Sequence, residues 1–185
     1  MELSKAIKTR RSVRKFSHKT PNWRDILEAI DAARFAPMAG GIYTLKFIVV
    51  SDRNSIQKLA SAAQQPFVGQ AQYVVVVCSK AMRAIDTYGE QAEDWVKQQA
   101  GAGIQNFLLK LTEKGLSTTW VGYFVEKIVK VILNIPEDVN VEAMFPIGYE
   151  IEKPKTKKAK INLDGILYFE KYDHKRKMKD KYIDV

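Results

Sequence analysis

Cysteine is nearly absent. Cys78 stands alone in 185 residues and cannot close a disulfide within the chain. It sits in Tyr73-Val74-Val75-Val76-Val77-Cys78, where a thiol serves as a small buried hydrophobe. A nucleophilic role would need a basic neighbour, and no histidine is near it in sequence. The two histidines, His18 and His174, lie among charged residues, so the ligand spacing of a zinc site is missing. Long apolar runs are missing too. The valine run is the longest and falls far short of the about 20 residues of a membrane helix. Met1 to Lys5 leads into polar sequence with no apolar signal region, which gives the expectation of a cytoplasmic protein without a membrane partner. No GxGxxG and no GxxxxGK[ST] occurs, and no GxSxG elbow, so the commonest phosphate loops and the common hydrolase site drop out.

Positive charge is what the chain has in excess, with 30 Lys and Arg against 21 Asp and Glu. Much of the excess lies in Lys153 to Lys160 and Lys171 to Lys181. It reads as a solvated lysine-rich surface, as an attractor of anionic ligands such as phosphate-bearing cofactors, or, in last place, as a nucleic-acid surface. Hydrophobic content of 46% and charged content of 28% suit one globular domain. We assign residues 1–170 to it and 171–185 to a charged tail.

Hydrophobic spacing predicts a short helix around Leu3, Ala6 and Ile7, and a helix from Trp23 to Phe35 with Ile26, Leu27, Ile30 and Ala33 inward. Pro37 stops the second, and a small-residue loop follows. Leu45 to Ser51 reads as a strand, and Asn54 as the cap of a helix reaching Ala63. Tyr73 to Ser79 reads as a strand buried on both faces. A long helix is expected from Thr87 to Lys114, closed by Gly115. Its Ala100-Gly101-Ala102-Gly103 stretch would admit close approach of a helix or a cofactor. Strands at Ser117–Val121 and Val141–Tyr149 flank a helix at Glu126–Leu133. The pattern is α+β, with helices on both sides of a central sheet.

Five segments, in order, carry a resemblance. They are Arg10-Arg11-Ser12-Val13-Arg14-Lys15-Phe16, Ala36-Pro37-Met38-Ala39-Gly40, Ala102-Gly103-Ile104-Gln105-Asn106, Gly115-Leu116-Ser117-Thr118-Thr119-Trp120-Val121-Gly122, and Pro146-Ile147-Gly148-Tyr149. Together they resemble the nitroreductase family of FMN-dependent NAD(P)H oxidoreductases, from about residue 3 to 170. The resemblance implies a three-layer α/β/α domain with a central mixed, mainly antiparallel sheet. It also implies FMN as cofactor and NADH or NADPH as electron donor.

What the resemblance implies residue by residue starts at the opening motif, where Arg10, Ser12 and Arg14 would hold phosphate, ribityl chain and ring oxygens, with Arg11 beside them. In an extended segment these alternate residues share one side, and a phosphate dianion favours charge-assisted bonds from Arg. The plain alternative is a basic surface turn. A C-terminal pair, Lys158 and Lys160, would close the phosphate site, with Lys157 as the register alternative and a solvated lysine run as the plain one. Pro37, Met38, Ala39, Gly40 and Gly41 would form the loop that reaches the neighbouring subunit's flavin. Met38 stands where the family has a hydroxyl residue and Gly41 where it has Asn, so only backbone contacts would survive, or the loop merely stops a helix. Gln65, or Gln64 in the other register, would meet the flavin edge with its amide, or simply end a helix. Val121 and Gly122 would lie along the ring, the Gly122 N–H near N5, while Trp120 reads as core packing.

Chemistry of this kind belongs to the cofactor, so no catalytic side chain and no metal is assigned. NAD(P)H would pass hydride to flavin N5, and a small electron-poor acceptor, a nitroaromatic, quinone or flavin, would then take it. Rival readings are a flavin-fragmenting or reductively dehalogenating enzyme of the same fold, and a non-catalytic flavin-binding module. A homodimer is expected, with Ile166 to Phe169 as an arm crossing to the partner.

Overall fold

The valine run lies where its composition requires, in the middle of a sheet. The computed structural model describes residues 1–151 and 161–175 of the chain, which divides into two compact units, Met1–Lys153 and Pro154–Val185. In the first unit β1 (Leu45–Val50), β2 (Tyr73–Ser79), β3 (Ser117–Thr118) and β4 (Asn140–Gly148) form one sheet in the order β1-β2-β4-β3, every ladder antiparallel. An isolated parallel bridge between Ser12 and Thr118 makes it mixed.

Side-chain alternation along β2 builds the layers. Val74, Val76 and Cys78 face α3 (Arg53–Ala62) and α6 (Glu126–Leu133), meeting Ile56, Leu59 and Val129. Val75 and Val77 face α2 (Trp23–Ala33) and α5 (Ala92–Glu113), meeting Ile26, Ala33, Ile104, Phe107 and Leu111. This is the expected three-layer α/β/α arrangement. Each fully buried Val contributes about 1.5–3 kcal/mol against about 1–2 kcal/mol of backbone ordering. The two-faced strand therefore holds the sheet centre, while a two-residue edge such as β3 needs support from elsewhere.

Local chemistry moved several boundaries. α1 (Leu3–Thr9) buries only Ala6. α2 ends at Ala33, two residues before the expected Phe35. α3 is capped by Asp52 rather than Asn54: the Asp52 carboxylate accepts from the Ser55 N–H at 2.7 Å, and that bond holds its carboxyl below the usual range. The helix expected from Thr87 to Lys114 is two helices, α4 (Met82–Tyr88) and α5, broken where Gly89 takes φ 78°. α5 does close at Gly115, with φ 73° and bonds from Leu116 N–H to Leu111 C=O and from Gly115 N–H to Thr112 C=O. β3 stops at Thr118, and Val121 returns as a bridge to Met144.

Within the small-residue stretch of α5, Ala100 and Gly103 serve packing within the chain, while Gly101 faces open space. A Cβ on Gly103 would sit 2.8 Å from Leu45 Cδ1 and 3.4 Å from the Ala33 carbonyl, so α5 lies close against α2 and the start of β1. Among the described residues no helix is long and apolar enough to cross a membrane. In the second unit Asn162 starts a 3-10 turn at Leu163–Gly165, its side chain accepting from the Asp164 N–H. The Tyr168 and Tyr172 rings lie 5.0 Å apart in the same unit.

Candidate functional site

The opening basic segment becomes an added edge of the sheet. Ser12 bridges Thr118, the Val13 N–H donates to the Thr118 carbonyl at 2.9 Å, Phe16 bridges Glu150, and the Ser17 N–H donates to the Tyr149 carbonyl at 2.8 Å. Val13 and Phe16 are buried, against Phe67 and Ala71. Gly148 permits this, since a Cβ there would lie 2.9 Å from the Phe16 ring. Extended geometry then puts Arg10, Ser12 and Arg14 on the other side from Arg11 and Val13. Ser12 and Arg14 are exposed and Arg10 half-buried. Arg11 is engaged differently: its Nε donates to Glu150 Oε1 at 3.2 Å and its Nη2 pairs with Glu150 Oε2. No carboxylate among the described residues pairs with Arg10 or Arg14.

Two further segments meet this edge. α3 ends with Gln64 in the left-handed region, φ 53°, and with a bond from the Gln65 N–H to the Ala60 carbonyl. The turn after it, Pro66–Gln70, presents Phe67, over which the Arg14 guanidinium lies at 5.8 Å. Gln65 is half-buried beside that turn and Gln64 is exposed. From β3 the chain runs through buried Thr119 and Val121 to exposed Gly122. The Val125 N–H donates to the Ala62 carbonyl at 2.9 Å, which ties this stretch to the end of α3. Trp120 is half-exposed, its ring edge-on to Phe145 at 5.5 Å. Arg10–Arg14, Gln65 and Val121–Gly122 thus belong to one corner of the sheet.

Pro37, Met38, Ala39, Gly40 and Gly41 lie at another corner. The loop leads into Leu45, which pairs with Ser79, whereas Thr118 pairs with Ile147, opposite Tyr73. Three strand spacings and six residues along β2 separate these ends, roughly 25 Å. The loop packs on the first half of α5, around a cavity of about 530 Å³ lined by Pro37, Met38, Ala39, Trp95, Gln98 and Ala102, among others. Gly40 has φ 55°, and an added Cβ would fall 1.8 Å from the Tyr88 hydroxyl; Gly41 has φ 70° and open space around it. Lys158 and Lys160 lie outside the described residues.

Several contributors were not read from the sequence. Gln99, almost wholly buried on α5, accepts from the Thr44 N–H at 2.9 Å and the Thr44 hydroxyl at 2.5 Å, and donates to the Ile42 carbonyl at 3.2 Å. It fixes the exit of the Pro37–Gly41 loop. An amide on the inward face of an otherwise apolar helix was its signal. Glu150, the partner of Arg11, and Tyr88, the cover of Gly40, carried none.

The first corner suits an anionic, polar ligand. Two guanidiniums without carboxylate partners flank an exposed hydroxyl, and the buried Thr118 hydroxyl next to Ser12 has no hydrogen-bond partner among the described residues. A phosphate, polyol and imide edge, the parts of FMN, match such a donor set.

Comparison with known proteins bears on the family of the chain. The model of the nitroreductase family matches residues 7–65 and 60–149. A protein of Archaeoglobus fulgidus named "Putative NADH dehydrogenase/NAD(P)H nitroreductase" is 32% identical over 153 residues, covering 80% of this chain and 85% of its own. Among solved structures, a nitroreductase family protein of Clostridium novyi superimposes with a TM-score of 0.75 at 26% identity, over 94% of this chain and 96% of that one. An FMN-dependent nitroreductase of Clostridium difficile shares the fold, with a TM-score of 0.77 at 22% identity over 90% and 98%. The chain belongs to the nitroreductase family.

Proposed function

We propose that this chain is an FMN-dependent oxidoreductase, working as a homodimer, that passes hydride from NADH or NADPH to a small electron-poor acceptor such as a nitroaromatic, a quinone or a free flavin. The observation that carries the reading is the pair Arg10 and Arg14, unpaired among the described residues and flanking Ser12 on a segment sewn to β3. Arginine forks bind a phosphate with charge-assisted bonds that a point-charge lysine cannot duplicate. Gln65 would offer an amide that both donates to and accepts from an imide edge, and Gly122 a backbone N–H unobstructed by a side chain of its own. Bound FMN would supply hydride transfer at its N5, so this chain needs no acid or base side chain of its own. The relative's name points to NAD(P)H, and the name of one structural neighbour to FMN.

The dimer follows from the two corners. Residues about 25 Å apart on one sheet do not line one ring site, but a two-fold copy can bring the Pro37–Gly41 loop of one chain to the basic edge of the other. The test is the absorbance spectrum of the purified protein and chromatography of the cofactor released by denaturation. FMN is expected; FAD, or no flavin from a reconstituted sample, would sink the reading. Oxidation of NAD(P)H with a quinone or nitroaromatic then separates an enzyme from a flavin-binding module.

A further inference from the structure

α3 begins with a residue that no part of the proposed site uses directly, yet it holds one wall of that site. The Arg53 guanidinium forks across the end of the Pro66–Gln70 turn: Nη1 donates to the Ala71 carbonyl at 2.7 Å and Nη2 to the Gly69 carbonyl at 2.8 Å. One helical turn later, on the same face, Gln57 Nε2 donates to the same Gly69 carbonyl at 2.9 Å. Residue 69 is glycine for a matching reason. A Cβ there would lie 2.7 Å from Gln57 Oε1 and 2.9 Å from its Nε2. Two residues on one face of α3 and a glycine twelve positions beyond Gln57 are therefore fitted to one junction, where turn carbonyls would otherwise go unpaired.

The contents of the clamped turn give the junction its meaning. Upstream lies Gln65, which starts the turn by giving its carbonyl to the Val68 N–H at 3.0 Å. Within it Phe67 supports the Arg14 guanidinium, and Phe67 with Ala71 forms the floor under Val13 and Phe16. The clamp thus acts on both the amide assigned to the flavin edge and the strand that carries Arg10, Ser12 and Arg14. We propose that Arg53, assisted by Gln57, is a positioning residue for the flavin site, acting through the Pro66–Gln70 turn and not by touching the cofactor. The assignment rests on the FMN reading given above. Its chemistry is the planar fork: a lysine keeps the charge but offers one nitrogen in place of two rigidly spaced ones, one for each carbonyl.

The experiment titrates FMN into the apo protein and into Arg53→Lys and Arg53→Met, following flavin fluorescence and visible circular dichroism, with thermal unfolding of each apo protein alongside. Both variants are expected to raise the FMN dissociation constant about tenfold or more and to change the visible spectrum of the flavin that does bind. Variants that unfold earlier but bind FMN with unaltered affinity and spectrum would show a merely structural tie and overturn the proposal. Full affinity in Arg53→Lys with loss only in Arg53→Met would assign the effect to charge, and would overturn it as well. If Arg53→Met does not fold, Gln57→Leu removes one of the two donors to Gly69, and the same direction of change at smaller size is expected; unchanged binding there counts against the proposal. An unmodified protein that takes up no FMN fails before any variant is made, and removes the reading of the site together with this assignment.

Discussion

The two corners of the sheet are built on opposite plans. The corner at β3 is a backbone construction: a basic segment hydrogen-bonded to a two-residue strand, floored by Val13, Phe16, Phe67 and Ala71, with Arg10 and Arg14 left without a carboxylate partner among the described residues. The corner before β1 is a glycine construction, in which a loop with two left-handed glycines is pinned from behind by Gln99 and covered by Tyr88. Charge and alternation make the first fit for an anionic ligand. The second has no charged side chain in the loop, a cavity beside it and small residues that let another surface come near. The difference teaches that charge suits the first to a phosphate, while on the proposed reading the second completes the site of another copy of the chain.

The sharpest break in this comparison is at Arg10. Arg10→Ala is expected to weaken FMN binding by about 1.5–3 kcal/mol, the range for a hydrogen bond to a charged group, with thermal unfolding of the apo protein unchanged. Arg11 is the internal control. It faces Glu150, and a partly exposed ion pair of this kind contributes about 0–1 kcal/mol. Arg11→Ala should lower stability slightly and leave the FMN dissociation constant within a few-fold of the parent's. Equal losses in fluorescence titrations of the two variants would place Arg11 on the ligand and dissolve the division of the segment into two sides.

A mixing experiment tests the relation between the corners directly. Take one chain with Arg10→Ala and a second with Pro37–Gly41 replaced by a shorter loop, each inactive alone. If every site uses the basic edge of one chain and the loop of the other, a mixed dimer has one site with both defects and one with neither. Denaturing the two together and refolding with FMN should restore NAD(P)H oxidation to about a quarter of the parent's, since half the dimers are mixed and each has one working site. No recovery would mean that both corners serve the same chain's ligand, or that the loop serves none.

Glycine substitutions probe the second corner alone. Gly40→Ala and Gly41→Ala both place a Cβ at positive φ, about 1–2 kcal/mol each. Only at residue 40 does the Cβ also displace Tyr88. Gly40→Ala should therefore unfold several degrees earlier than Gly41→Ala, and Tyr88→Ala should remove that difference in a double-mutant cycle. FMN affinity measured in each variant should vary far less than with Arg10→Ala.

Legibility in the sequence followed the same division. The backbone of the basic corner was readable because its logic is periodic: alternate residues of Arg10–Arg14 share a side, and the valine run announces a two-faced strand; the ligand assigned to that side came from the family resemblance, and the Arg10→Ala titration tests it. β2, α6 and the closure at Gly115 appear as expected for that reason. The break at Gly89 was not readable, because a single glycine between helix-forming neighbours is tolerated in a helix and only tertiary packing decides. Asp52 and Asn54 are both good caps by residue type, and the choice between them was fixed by which one stands before the first helical turn. Clamps such as Gln99 on Thr44 join residues more than fifty positions apart, so no local pattern contains them.

The smallest effect is expected at Cys78, whose side chain faces α3 and α6 on the side of β2 away from α5 and the loop packed on it. Burial, reinforced by the charges of Glu142 and Glu126, pushes its thiol up to about 11 from an ordinary 9.0. A raised value means that the folded chain holds this proton more tightly than the unfolded one. The associated stability is complete below about pH 9 and is lost as pH rises through 11. Cys78→Ala should therefore unfold slightly more easily near neutral pH, by about 1 kcal/mol for the lost side-chain volume, and should show a shallower decline between pH 9 and 11. Denaturant unfolding of both proteins across that range is the measurement. Neither corner should register the change, so FMN affinity at pH 7.5 is expected to be equal in the two. A thiol reagent should leave the folded parent unmodified at that pH. Rapid labelling there, or loss of FMN in Cys78→Ala, would mean that the α3/α6 side of β2 is coupled to the corners and that they cannot be treated as separate constructions.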